Sequence, residues 1–116
     1  MASAEEMRDS LDSFATSCNE NERLKLMIKE WNRTIHVHAT DLDSEYTLVT
    51  RDGAVSLTDG AIGTADMVVR ANSEILTSVF YGEVSPNEPY NEGTLQVHGS
   101  ENDILHLDFI TAMLWE

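Results

Sequence analysis

Few residues in this chain could do chemistry, and each set also has a plainer use. His36 and His38 stand two apart, which puts both imidazoles on one face of an extended segment, a spacing that some metal sites use. A metal needs further ligands, and nothing in the sequence makes His98 or His106 converge on that pair. The pair is therefore read as part of a solvated strand face, and no metal or other cofactor is expected. Cys18 is the single cysteine. It has no internal disulfide partner and falls on the apolar stripe of a helix, which marks a buried structural thiol rather than a nucleophile. Carboxylates are too numerous for any two to stand out as an acid–base pair. General acid–base catalysis needs a cleft and a shifted pKa, and a sequence shows neither. No catalytic residue is assigned, and the protein is expected not to be an enzyme.

Those carboxylates still carry information in bulk. Seven Lys and Arg stand against 21 Asp and Glu, a formal net charge of -14. Such a field repels nucleic-acid phosphates and anionic lipid surfaces, so nucleic-acid binding is not expected. At 116 residues, 41% hydrophobic and 24% charged, the composition is that of a soluble globule with one core, read as one domain over residues 1–116. No stretch approaches the roughly 18 apolar residues of a membrane span, so no stable membrane insertion is expected. The acidic start, Met1-Ala-Ser-Ala-Glu-Glu6, has the wrong sign for a targeting signal, and the expected location is cytoplasmic.

The elements follow from spacing. Ser3 and Glu6 form a capping box, and Met7, Leu11, Phe14 and Cys18 recur at helical intervals. Asn19 and Asn21 predict a break, after which Glu22 to Trp31 continues as a second helical segment with Leu24, Met27, Ile28 and Trp31 inward. Strands are predicted at Thr34–Thr40, Glu45–Arg51 and Ala54–Leu57, the last two joined by the hairpin signal Asp52-Gly53. Three strands joined by short turns make an antiparallel meander. A fourth strand is predicted over Ala65–Ala71. Asn72 or Ser73 caps a third helix with Ile75, Leu76, Val79 and Phe80 inward, and Gly82 stands where a C-terminal cap belongs. Pro86 starts one further turn that Pro89 limits, and Gly93 to Gly99 bounds a last strand in which Leu95 and Val97 alternate with polar residues.

The final helix begins at Ser100 and differs from the others. Asp103 stands at capping-box distance from Ser100. Ile104, Leu107, Leu114 and Trp115 fall on one side, Leu105, Phe109, Ala112 and Met113 on another, and Ile110 lies between. A helix apolar around most of its circumference must be covered on more than one side. Here the sheet can cover one face, and the other calls for the first helix, a second copy of the chain or a bound apolar molecule.

From Ala65 onward the order Ala65-Asp66, apolar strand, Glu74-Ile75-Leu76, Gly82, Ser85-Pro86 and Gly93-x-Leu95-x-Val97-x-Gly99 before a terminal helix resembles the sterol-carrier-protein type 2 domain, the non-specific lipid-transfer family. The resemblance is most specific over residues 65 to 99, and the first half matches in element order. It implies an α+β fold: a mixed five-stranded sheet, a meander plus two further strands, with helices packed on one face. It also implies non-catalytic binding and carrying of an apolar, lipid-like molecule, a fatty acid, acyl-CoA or sterol, in a hydrophobic tunnel closed at one end by the terminal helix. Carried over by position, the lining residues are Leu24, Met27, Ile28 and Trp31, then Leu76, Val79 and Phe80, then Val97, and finally Leu105, Phe109 and Met113.

The chain departs from the family pattern at three places. Thr94, Gln96 and His98 stand where lysines are common, the segment Asn87 to Glu92 offers only Tyr90 to point inward, and Trp115-Glu116 replaces a peroxisomal address. The alternative reading is a homodimeric or enzyme-associated interaction domain that uses the apolar terminal helix without a ligand. A cone-shaped α+β enzyme ranks last, because that architecture normally finishes in strands.

Overall fold

The computed structural model describes residues 2–115. Met1, Glu116 and the Trp115 side chain, which helical spacing sets with Leu114, lie outside that description. Ten elements follow in order. Two helices, α1 (Ala4–Glu20) and α2 (Glu22–Met27), precede the strands β1 (Arg33–Ala39), β2 (Ser44–Arg51), β3 (Ala54–Asp59) and β4 (Met67–Ala71). Helices α3 (Ser73–Phe80) and α4 (Asn87–Glu92), strand β5 (Gln96–His98) and helix α5 (Glu101–Trp115) complete the chain.

The strands form one mixed sheet in the order β3-β2-β1-β4-β5, in which only β1 and β4 run parallel. Register explains which side is buried. Leu57, Leu48, Ile35 and Met67 form one cross-strand row, and Tyr46, Val37, Val69 and Val97 form the next. Most of these side chains are buried, and with Met7, Leu11, Phe14, Leu24, Ile28, Leu76 and Phe80 from the helices they make the core. The opposite face carries Thr58, Thr47, His36, Val68 and His98 in one row. The α+β architecture with helices on one sheet face is therefore the one that the alternation of residues implies.

Local chemistry sets the boundaries. Ser3 and Glu6 close the capping box of α1 reciprocally. Asn21 ends α1 and caps α2 by accepting from the Leu24 N–H at 3.0 Å. Asn19, expected only to interrupt a helix, meets β3 instead. Its side chain accepts from the Val55 N–H at 2.8 Å and donates to the Val55 carbonyl at 2.9 Å, occupying backbone groups on the outer edge of the sheet. Gly53 turns β2 into β3 at φ +82, and a Cβ there would lie 2.9 Å from the Lys25 carbonyl oxygen, so the hairpin is pressed against α2.

Three elements are shorter than periodicity predicts, the fourth strand starting at Met67 instead of Ala65. Helix α2 stops at Met27 instead of reaching Trp31. There the Thr50 hydroxyl donates to the Trp31 carbonyl at 2.6 Å and accepts from the Arg33 N–H at 2.9 Å, turning the chain directly into β1. Strand β5 spans Gln96 to His98 alone, because the Thr94 and Leu95 N–H groups both donate to the Pro89 carbonyl at 3.0 Å. Leu95 is buried all the same.

Candidate ligand cavity

Between α3, α4, β4, β5 and α5 lies a cavity of about 410 Å³. Its floor is Val69, Leu95 and Val97, and one wall is the last turn of α3, with Leu76, Val79 and Phe80. Tyr90 and Pro86 close it from the α4 side, together with Asn87 and Asn91. The remaining wall is one stripe of α5: Glu101, Ile104, Leu105, Leu107, Asp108 and Thr111. A smaller cleft of about 160 Å³ lies beyond Pro86, Asn87, Asp108 and Thr111, which border both spaces. The main volume falls within the roughly 300–1,000 Å³ of small-molecule sites, and its lining is mostly apolar with a few polar groups, as such sites require.

Helix α5 is held as a wall by its first turn. The Ser100 hydroxyl accepts from the Asp103 N–H at 3.1 Å. The Asp103 carboxylate does not complete a capping box. It reaches the other way, and Oδ1 accepts from the Trp31 indole N–H and from Arg33 Nε, both at 2.9 Å. The Trp31 ring stacks on His106 at 4.9 Å between centroids, with Arg33 Cζ 5.8 Å from its centroid. Burial alone would raise the Asp103 pKa, but the bonds from Trp31, Arg33 and Ser100 and the Arg33 charge outweigh it and hold the carboxyl below its ordinary 3.8. Further along, Ile110 and Thr111 are buried.

The sequence-predicted lining residues divide. Leu76, Val79, Phe80, Val97 and Leu105 meet at the cavity. Leu24 and Ile28 are fully buried in the core, and Met27 and Met113 pack against it half-buried. Trp31 anchors α5 through Asp103. Phe109 is 62% exposed, one turn beyond Leu105, which is 52% exposed at the cavity. The cover expected on more than one side of α5 is thus incomplete. Tyr90, the residue of its segment expected to point inward, does line the cavity, while Val69 and the pair Glu101 and Asp108 were missed, although the spacing 101, 104, 105, 108 and 111 is itself one helical stripe.

The other chemistry-bearing residues stay apart. His36 Nε2 lies 3.0 Å from the Ile62 carbonyl oxygen, and His38 Nε2 lies 3.5 Å from Asp43 Oδ1. Among the described residues no three His, Cys, Asp or Glu side chains are grouped to hold a metal. Burial pushes the Cys18 thiol up to about 12, so it carries almost no thiolate at neutral pH.

Residues 13–110 match the profile of the SCP-2 sterol transfer family. The chain belongs to this family. Its fold recurs in solved structures at low identity. The ubiquinone synthesis protein UbiJ-SCP2 superposes with a TM-score of 0.74 at 15% identity, covering 93% of this chain and 94% of that one. The palmitated SCP2L2 of Aedes aegypti gives 0.64 at 11% identity, covering 95% of each. The sec-alkylsulfatase Pisa1 of Pseudomonas sp. gives 0.64 at 17% identity over 79% of this chain, which spans only 14% of the enzyme. Curated protein sequences give no match. No helix among the described residues is long and apolar enough to cross a membrane.

Proposed function

We propose that residues 1–116 act as one domain that binds and carries an apolar, lipid-like molecule without transforming it, and that the cavity between β5 and α5 is where the molecule sits. The observation that carries this reading is the cavity itself, an apolar space of about 410 Å³ in a chain of the SCP-2 sterol transfer family. Leu76, Val79, Phe80, Val97 and Leu105 are the proposed contacts from the original set, joined by Val69, Ile104 and Tyr90. Each methylene removed from water contributes about 0.8 kcal/mol, so enclosing about ten gives roughly 8 kcal/mol before association costs of several kcal/mol. The remainder for ten methylenes, about 4 kcal/mol, corresponds to weak, about millimolar binding that longer chains would tighten, which suits a carrier that must release its cargo.

Val97 tests the placement, because it stands on the sheet floor, where a larger β-compatible residue keeps the strand and fills the space. Purified protein should bind the neutral apolar dye Nile red with one-to-one stoichiometry, and Val97→Phe should weaken that binding by about tenfold, a change of about 1.4 kcal/mol. Equal affinity in a folded Val97→Phe protein would refute the cavity as the site. A second reading makes α5 a docking face for another copy of the chain. The exposure of Leu105 and Phe109 on neighbouring turns favours it.

A further inference from the structure

We infer that the cavity selects its ligand by charge, accepting a cationic polar end most readily, a neutral one next and an anionic one least; this rests on the cavity being the ligand site. The α5 stripe that forms its wall reads Glu101, Ile104, Leu105, Asp108 and Thr111, an apolar centre with one carboxylate on each side. Glu101 and Asp108 are both exposed, and seven positions on a helix is two turns, so the two charges sit about 10 Å apart along the wall. A ligand threaded in either direction therefore brings its polar end past a carboxylate.

Nothing along the lining offsets them. Among the described residues, no lysine, arginine or histidine lines the cavity, and its other polar side chains are the neutral Asn87, Tyr90, Asn91 and Thr111. Two of the arginines already have carboxylate partners elsewhere: Arg33 with Asp103 and Arg8 with Asp59, each at 2.9 Å. The positive end of the α5 dipole is also occupied, since Glu101 stands in its first turn and Ser100 accepts from the Asp103 N–H. Apolar walls lower the local dielectric, so the two rim charges act more strongly on a bound head group than they would in open water.

Three probes with one chain and different ends test this: dodecylammonium, dodecanol and dodecanoate, each displacing Nile red from delipidated full-length protein at pH 7. The expected order of affinity is dodecylammonium, then dodecanol, then dodecanoate, with dodecanoate at least about tenfold weaker than dodecanol. Glu101→Gln with Asp108→Asn should narrow that gap to about threefold or less, whereas Glu20→Gln with Glu22→Gln, remote from the cavity, should leave it unchanged. Dodecanoate binding as tightly as dodecanol would overturn charge selection while leaving the cavity reading standing. An unchanged gap in the folded Glu101/Asp108 variant would assign the preference to the overall charge of the protein and overturn the role of the rim. Displacement by none of the three probes would overturn the site and the selectivity together.

Discussion

At the scale of single residues, Asp103 decides more than any other. A carboxylate at the start of a helix ordinarily serves the helix dipole, but this one is buried and accepts from Trp31 and Arg33, which belong to the α2–β1 junction. Asp103→Asn removes the charge, and although its amide oxygen can still accept from both donors, the two bonds lose their charge assistance. Charge-assisted bonds of this kind contribute about 1.5–3 kcal/mol each, and the variant should lose about 2–4 kcal/mol, read as a lower urea midpoint with an unchanged slope. The pH dependence has a defined sign. A carboxyl whose folded pKa is below its unfolded value binds more protons when unfolded, so its stabilisation is complete above about pH 4 and drains away as pH falls through the folded value. Asp41, lowered chiefly by the hydrogen bond that Ser73 donates, acts in the same window. Wild type should therefore lose stability more steeply than Asp103→Asn as the pH falls below about 4, and parallel acid curves would remove Asp103 from this role.

At the scale of elements, α5 is where the chain was only partly legible. Its circumference predicts that two sides need cover, and the structure covers the side of Asp103 and Ile110, lays a second against the cavity, and leaves Phe109 in solvent. Periodicity ranks faces by residue type, so it cannot distinguish a wall beside empty space from one beside packed atoms. Leu24 and Ile28, which the family resemblance carries over by position as lining, are fully buried in the core, where helical spacing also sets them inward. Strand existence was readable throughout, from Ile35, Val37 and Ala39 alternating with His36 and His38. Ends were not, because α2 and β5 are cut short by distant partners, Thr50 and the Pro89 carbonyl. Phe109→Ser follows from this placement. It should leave Nile red affinity within about twofold and shift no sedimentation boundary if α5 serves a cavity, whereas conversion from dimer to monomer would favour the docking reading.

At the scale of the whole molecule, the sheet is the shared support: one face carries the core and the cavity floor, and its two ends differ in how they finish. On the β5 side the last strand is only three residues long. On the β3 side the Asn19 amide sits on both backbone groups of Val55. That clamp bears on how copies of this protein behave in a crowded solution. Asn19→Ala would leave an N–H and a carbonyl of the outer strand open to pairing with a neighbouring molecule, the first rung of templated fibril growth. Thioflavin T fluorescence on quiescent storage should rise sooner for Asn19→Ala than for wild type at equal folded fraction. A helix side chain placed for packing would then also be what keeps the sheet from extending into the next molecule.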